Sequence, residues 1–139
     1  MSVFYDDELT VTDYNNLRES AGWCMLPEKQ IKKGLDRSDY VIAAKEDGKT
    51  IGMARVFSDS GCVFFVSDVV VLPEYQGKGI GKSMVQSIMT YINNQLEAGD
   101  IAYVALMAAT GKEEFYEKFG FEVRPNNHHG AGMSQWMYK

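Results

Sequence analysis

The segment Gln76-Gly77-Lys78-Gly79-Ile80-Gly81 has the composition of a loop that binds a phosphate group. It stands between a β-branched apolar run that ends at Pro73 and an amphipathic run that begins at Ile80. Glycines let the backbone adopt dihedral angles closed to other residues and bring its N–H groups close to a ligand. Because a helix N-terminus adds a positive dipole end, the pattern predicts an anion site at a strand-to-helix junction. A glycine-rich turn without a ligand is the alternative.

The spacing of the glycines excludes two common phosphate loops. A Walker A loop needs a glycine six residues before Lys82-Ser83, and Gln76 occupies that position. A dinucleotide-binding loop needs a third glycine where the chain has Lys82. In addition, no acidic residue near position 100 follows a second βα unit in the required way.

Tyr116 is a second part of the sequence with a candidate chemical role. It follows Phe115 on a predicted helix that ends at Gly120. Phe115 and Phe119 lie on the side of this helix that faces the core. The Tyr116 ring can therefore pack while its hydroxyl points to a neighbouring cavity. Taken alone, the pattern favours simple packing with one hydrogen-bond partner over a catalytic role.

Two motifs resemble those of the GNAT superfamily of N-acetyltransferases. The spacing Gln76-x-x-Gly79-x-Gly81, after a Val-rich strand and Pro73-Glu74-Tyr75, is similar to the loop with which that family binds the pyrophosphate of acyl-CoA. About forty residues later, the segment Phe115-Tyr116-Glu117-Lys118-Phe119-Gly120-Phe121 resembles the one in which the family places a tyrosine hydroxyl beside the coenzyme sulfur. The resemblance covers residues from about 40 to 139, and it is looser towards small members such as glucosamine-phosphate acetyltransferases.

The resemblance implies acetyl-CoA as the co-substrate and a set of residues that contact it. These are Val69, Val70 and Val71 on a strand; Gln76, Gly77, Lys78, Gly79, Ile80, Gly81, Lys82 and Ser83 in the loop and helix start; and Ala109, Lys112 and Tyr116 further on. The chain departs from the family at two of them. Many relatives have Asn seven residues before the tyrosine and Ala four before it, where this chain has Ala109 and Lys112.

The implied chemistry needs a base, an oxyanion donor and an acid. An alkylammonium with a pKa near ~10.4 must lose a proton before it attacks the thioester carbonyl. Our candidate base is Asp68, with Glu74 and a bound water as lesser options. A carboxylate that pairs with backbone N–H groups or a cation is the alternative role for Asp68. Backbone N–H groups around Val69 to Val71 would stabilise the oxyanion, and Tyr116 would protonate the departing thiolate.

The sequence gives weaker signals for the residues that bind the amine substrate. Our candidates for substrate contacts are Trp23, Phe65, Ser67 and His128. Ordinary core packing is the alternative for the aromatic residues. His128 and His129 lie in a polar, glycine-rich loop without cysteine or carboxylate at ligand spacing, so we expect loop residues and no metal site.

The elements that must position these residues form one continuous α/β pattern. We expect an α/β (α+β) GNAT fold with a mixed central sheet of six to seven strands, about four flanking helices, and a splay between the fourth and fifth strands. The predicted helices start after Thr10 or Thr12 and at Pro27, Ile80 and Lys112, and the predicted strands are Tyr40–Lys45, Thr50–Phe57, Cys62–Leu72, Ile101–Met107, Phe121–Arg124 and Met133–Tyr138.

Composition limits the number of domains, the kinds of partner and the location of the chain. The 139 residues suit one domain, residues 1–139. The balance of 14 Lys plus Arg against 19 Asp plus Glu gives a net charge of −5, which disfavours nucleic acid and anionic membranes and suits a cationic substrate. Cys24 and Cys62 predict reduced thiols packed as small hydrophobes, and the first residues lack a secretory signal, so we expect a cytoplasmic protein. The resemblance adds a possible homodimer.

We therefore predict an acyltransferase that moves the acetyl group of acetyl-CoA to a primary amine of a small molecule by direct attack in a ternary complex. Acetylation of a protein N-terminus or lysine is the alternative within this class. A regulatory module that binds acyl-CoA without turnover is the alternative from another class.

Overall fold

The computed structural model describes residues 2–139, which form two compact units. The first unit ends at Ala105 and the second runs from Leu106 to Lys139. Within the described residues, the first unit holds the sheet and the helices α1 (Val11–Ser20), α2 (Glu28–Asp36) and α3 (Ile80–Gln95), and the second holds α4 (Glu113–Glu117). The assignment of residues 1–139 to one domain stays a prediction.

A mixed sheet forms the centre of the first unit, as the sequence predicts. Its strands are β1 (Phe4–Asp6), β2 (Tyr40–Glu46), β3 (Lys49–Ser58), β4 (Val63–Val71) and β5 (Tyr103–Ala105). They lie in the order β1-β2-β3-β4-β5, with antiparallel neighbours up to β4 and a parallel β4–β5 pair.

The strand count is the main difference from prediction. The sheet has five strands within residues 2–139, whereas the sequence predicts six to seven. The segments Phe121–Arg124 and Met133–Tyr138, predicted as strands, are irregular and their large side chains are mostly exposed. A strand forms only where a neighbouring strand is available for pairing, in addition to suitable side chains. The sequence pattern reports the side chains and not the neighbour. Strand β1 is too short, at three residues, to give a pattern.

Helix α3 covers one face of the sheet. Its buried residues are Ile80, Met84, Val85, Ile88 and Ile92. A Cβ built on Gly52 of β3 would lie 3.2 Å from Met84 Cε, so helix and strand are in close contact there. The apolar spacing that predicts this helix also sets the face that it buries.

Helices α1 and α2 belong to the opposite face. Thr10 caps α1 by accepting a hydrogen bond from the Asp13 N–H at 3.1 Å, and Pro27 precedes α2. Because side chains alternate along a strand, Met53 points away from α3, which its neighbour Gly52 faces. The core cluster on this side contains Tyr14, Leu17, Ile31, Met53 and Val70.

Strand β4 departs from regular pairing on both of its edges. It pairs with β5 only at Val63–Phe65, so within the described residues its last six residues have no β5 partner and the sheet splays there. On the β3 side, Arg55 pairs with Ser67 and Met53 with Val70, which leaves Asp68 and Val69 opposite one residue. This β-bulge gives Asp68 a positive φ of 56°, a conformation that Asp tolerates better than most residues.

Candidate active site

The β-bulge turns Asp68 towards α1, where three side chains surround its carboxylate. Oδ2 accepts hydrogen bonds from the Tyr14 hydroxyl at 2.6 Å and from Arg55 Nε at 2.7 Å. Arg18 Nη1 lies 3.6 Å from Oδ1. The Asp68 side chain is only 7% exposed, so these contacts are largely shielded from water. We call Tyr14, Arg18, Arg55 and Asp68 the Asp68 cluster.

The two guanidiniums of the Asp68 cluster are held by further contacts. Arg18 Nε donates to the Cys24 carbonyl oxygen at 2.8 Å, and the Arg18 guanidinium carbon lies 5.5 Å from the centre of the Trp23 ring. Arg55 Nη1 donates to Ser38 Oγ at 3.1 Å. Burial, with the negative charge of Asp68 next in importance, raises the pKa of Tyr14 to about 12, so its hydroxyl remains protonated.

These contacts bear on the role of Asp68. A carboxylate that accepts two hydrogen bonds and faces two cations is held in place by these partners. The geometry is that of the paired carboxylate, which is the alternative role from sequence. The assignment of Asp68 as the general base stays a prediction, and its surroundings argue against it.

The end of β4 leads through a short turn into the glycine loop. Gln76 Nε2 donates to the Val71 carbonyl oxygen at 2.9 Å, and this bond ties the loop to the strand end. Val70 is buried in the core cluster, while Val69 and Val71 are half-buried. A 3₁₀ turn, Pro73–Tyr75, connects the strand to the loop.

The glycine loop has the open backbone that an anion site requires. Gly77 and Gly79 have φ values of 76° and 84°, and a Cβ added at either would meet no atom within 4 Å. The Ser83 N–H donates to the Gly79 carbonyl oxygen at 3.0 Å, which closes the first turn of α3, so the N–H groups before it have no acceptor within the helix. Lys78 and Lys82 are exposed beside them. The backbone and the charges of this loop suit a pyrophosphate.

The predicted acceptor residues of the first unit lie on the α1 side of the sheet or next to it. Phe65 stacks on Phe57 of β3 with ring centres 5.4 Å apart, and Ser67 pairs with Arg55. Trp23 packs against the core cluster and contacts the Arg18 guanidinium. Ser67 and Trp23 therefore border the Asp68 cluster, and Phe65 is connected to it through Phe57, which contacts Arg55. Their role in acceptor binding stays a prediction.

The remaining predicted residues belong to the second unit. Tyr116 lies in α4, is 9% exposed, and makes edge-to-face contacts with Phe115 and Phe121. Burial raises the pKa of Tyr116 to about 12. The Lys112 N–H donates to the Ala109 carbonyl oxygen at 2.9 Å just before the helix, and both residues are exposed.

The loop that contains His128 is organised by Asn126. Asn126 Oδ1 accepts from the backbone N–H groups of His128 and His129 at 2.9 and 3.0 Å. His128 is exposed, and its predicted contact with substrate remains untested.

Tyr14, Arg18 and Arg55 were not identified from the sequence. A signal exists for two of them: Arg55 interrupts the apolar run of β3, and Arg18 shares one face of α1 with Tyr14 at the i, i+4 spacing. A charged residue within a buried pattern indicates a buried partner, but only the bulge reveals that the partner is Asp68.

Comparison with known proteins identifies the class. Residues 37–123 match the acetyltransferase (GNAT) domain family. The chain is 32% identical over 122 residues to ycf52 of Pyropia yezoensis, an uncharacterized N-acetyltransferase, with 85% of this chain and 68% of that protein covered. It is 30% identical over 139 residues to GCN5-related N-acetyltransferase 2, chloroplastic, of Arabidopsis thaliana, and covers only 52% of that protein.

The same class appears among solved structures. Protein SA2161 of meticillin-resistant Staphylococcus aureus, described as a probable acetyltransferase, superposes with a TM-score of 0.82 and 32% identity over 97% of this chain and 98% of that one. The chain therefore belongs to the GNAT superfamily and is an acyltransferase with the N-acetyltransferase fold. Acetyl-CoA is the co-substrate of this family.

Two expectations drawn from composition are wrong. The predicted cytoplasmic location is contradicted by relatives such as the Arabidopsis protein, which is named chloroplastic. The cysteines do not pack as small hydrophobes either, since Cys24 and Cys62 are both exposed. Reduced thiols are compatible with more than one compartment, so they do not select the cytoplasm. No helix within residues 2–139 has the length and apolar character to cross a membrane.

Proposed function

We propose that this chain transfers the acetyl group of acetyl-CoA to a primary amine of a small molecule by direct attack in a ternary complex. The observation that carries the proposal is the course of β4. The strand leaves β5 after Phe65, bulges at Asp68, and ends in an open glycine loop at the start of α3. A strand edge that opens just before an anion site offers adjoining places for the thioester arm and the pyrophosphate of one coenzyme.

The donor half of the reaction uses mainly backbone groups. In our proposal the N–H groups between Gly77 and Ser83 bind the pyrophosphate, with Lys78 and Lys82 adding charge. The free edge of Val69–Val71 would pair with the pantetheine as an added strand would. One of its N–H groups would stabilise the tetrahedral oxyanion.

The proton transfers need an acid and an acceptor. Burial raises the pKa of Tyr116 to about 12, so its hydroxyl keeps its proton at neutral pH. In our proposal it supports departure of the thiolate by donating a strong hydrogen bond or the proton itself. The Asp68 carboxylate is engaged by Tyr14 and Arg55, so we propose that water takes the amine proton and that Asp68 holds the bulge in place.

The acceptor is the less supported half. Relatives include proteins named histone acetyltransferase TAP1 of Glycine max, 30% identical, and serotonin N-acetyltransferase 2, chloroplastic, of rice, 26% identical. Protein and small-molecule acceptors are therefore both represented among the names. We favour a small molecule because the guanidiniums of Arg18 and Arg55 and the rings beside them offer closely spaced contacts for a small acceptor. These relatives also favour a plastid location over the cytoplasm.

A regulatory module that binds acyl-CoA without turnover is the second candidate. It is motivated by Ala109 and Lys112, which replace the residues that many family members carry there. In the module, the coenzyme would bind to the loop but no amine would be positioned for attack.

An acceptor panel separates these functions. Purified protein is mixed with acetyl-CoA and with small amines, lysine peptides or peptides with free N-termini, and thiol release is followed. Faster release with small amines than with peptides supports our proposal, and the reverse order supports a protein acetyltransferase. Tight coenzyme binding without release in any mixture supports the module.

A further inference from the structure

The Asp68 cluster carries more positive than negative charge. Arg18 and Arg55 are cationic, Asp68 is the only carboxylate that contacts them within the described residues, and the Tyr14 hydroxyl is neutral. The cluster therefore has a net charge of +1, in a chain whose total is −5. The local sign is opposite to that of the whole molecule.

The excess charge is poorly exposed to water. The side chains of Arg18 and Arg55 are 8% and 17% exposed. A guanidinium at such a depth is stable only when anions or hydrogen-bond acceptors replace its hydration. Asp68 supplies one negative charge for the two cations. Arg18 is further compensated by the Cys24 carbonyl oxygen, and Arg55 by Ser38 Oγ and, at 3.5 Å, by the Gly34 carbonyl oxygen.

The two guanidiniums also have N–H donors that are not used in strong hydrogen bonds. Arg55 donates from Nε and Nη1, whereas its Nη2 makes no hydrogen bond to residues 2–139. For Arg18, Nη1 lies 3.6 Å from Asp68 and Nη2 lies 3.8 Å from Cys24 Sγ, both long for strong bonds. A guanidinium with an unused donor binds a carboxylate or phosphate oxygen through a charge-assisted hydrogen bond.

The cluster lies where an acceptor would bind. Asp68 directly precedes the strand segment Val69–Val71, which in our proposal receives the thioester. Phe57 lies under Arg55 at 5.3 Å and stacks on Phe65, and Trp23 lies against Arg18. An amine substrate that reaches the thioester would have its remaining atoms within reach of these groups.

We infer that the acceptor carries an anionic group, a carboxylate or a phosphate, which Arg55 and Arg18 bind beside the reacting amine. The inference rests on the proposed transferase function and narrows its substrate class. The anion completes the charge balance of the Asp68 cluster, so it selects against amines that are neutral elsewhere.

Matched acceptors test this inference on the unmodified chain. At saturating acetyl-CoA, thiol release is compared for tyramine, tyrosine and tyrosine amide, for serotonin and 5-hydroxytryptophan, and for glucosamine and glucosamine 6-phosphate. We expect kcat/KM at least ~10-fold higher for the anionic member of one set, the effect of one charge-assisted bond. Tyrosine amide controls for the lower basicity of an α-amino group.

The outcomes are distinct. A preference in the carboxylate sets identifies a carboxylate subsite, and one in the sugar set identifies a phosphate subsite. Release that is equal or faster with the neutral member of every set overturns the anion subsite and leaves the transferase intact. Calorimetric binding of acetyl-CoA without release from any amine overturns the proposed function, and the inference with it.

Variants of Arg55 locate the subsite. Arg55→Gln is expected to reduce the ratio of anionic to neutral kcat/KM towards one, and Arg55→Lys to keep part of it, because lysine retains the charge without the planar fork. Coenzyme affinity by calorimetry checks that both variants are folded. An unchanged ratio in folded Arg55→Gln would show that the anion binds elsewhere.

Discussion

Tyr116 is our candidate for the acid, and its hydroxyl is protonated at neutral pH as that role requires. It is nearly buried, and burial raises the pKa of its hydroxyl to about 12. We expect Tyr116→Phe to keep coenzyme affinity and to lower kcat by roughly 10²-fold, because the thiolate would leave without an acid. Tyr138→Phe, a change at an exposed tyrosine, is the matched control. Unchanged turnover in Tyr116→Phe would remove this residue from the mechanism.

The raised pKa also fixes the pH dependence of that step. A tyrosine is the acid only while protonated, and this condition holds well below pH 12. The rate should therefore rise with pH as the amine loses its proton and show no decline caused by Tyr116 up to about pH 10. A decline below pH 9 that disappears in Tyr116→Phe would contradict this assignment.

Asp68 is expected to matter for stability. Asp68→Asn keeps the shape of the side chain and its tolerance of positive φ, but leaves two buried guanidiniums without their carboxylate. We expect a loss of about 3–5 kcal/mol in the free energy of unfolding, measured by urea denaturation. Glu28→Gln breaks an exposed pair with Lys32 and should cost no more than about 0.5 kcal/mol. Similar losses in the two variants would show that the Asp68 cluster is not a stabilising network.

At the residue scale, the sequence suggests candidates whose chemistry follows from residue type and local spacing, and their roles stay predictions. The glycines, Tyr116 and Asp68 belong to that group. Arg18 and Arg55 did not stand out, because their importance depends on contact with a residue 50 or 13 positions away. Such partners are fixed by strand register, which a one-residue bulge shifts.

At the element scale, strand β4, the glycine loop and helix α3 together form the proposed coenzyme site. Gly79 has a φ of 84°, so Gly79→Val forces a β-branched residue into a strained conformation at the centre of the loop. We expect coenzyme binding, measured by calorimetry, to be abolished. Gly48→Val imposes similar strain at a φ of 76° in the β2–β3 turn, and should leave binding intact. Intact affinity in Gly79→Val would contradict the pyrophosphate assignment.

Helices and strands with a regular spacing of apolar residues or clear turn signals were predicted well, and segments without these signals were not. The apolar spacing gives α3 nearly to the residue, and turn signals place β2, β3 and β4. The splay follows from the resemblance, since side-chain pattern says nothing of how two strands diverge. The bulge at Asp68 and the irregular chain after Phe121 depend on neighbouring elements, so local sequence does not determine them.

At the scale of the whole molecule, the net charge of the chain and the local charge of the Asp68 cluster have opposite signs. The net charge of −5 suggests a cationic substrate, whereas the Asp68 cluster is locally positive. An acceptor with both an amine and an anionic group satisfies both, since the amine is drawn by the overall field and the anion by the local one. The homodimer suggested by the family resemblance stays a prediction.

The central claim is that the chain moves an acetyl group directly from coenzyme to amine. The most direct measurement follows acetylated amine and free coenzyme A together by mass spectrometry, with acetyl-CoA and amine present or either omitted. Our account predicts equal amounts of both products, formed only when both substrates are present, and no acetylated protein intermediate. Coenzyme binding without acetylated product from small amines or peptides, or an acetyl-enzyme formed without amine, would contradict it.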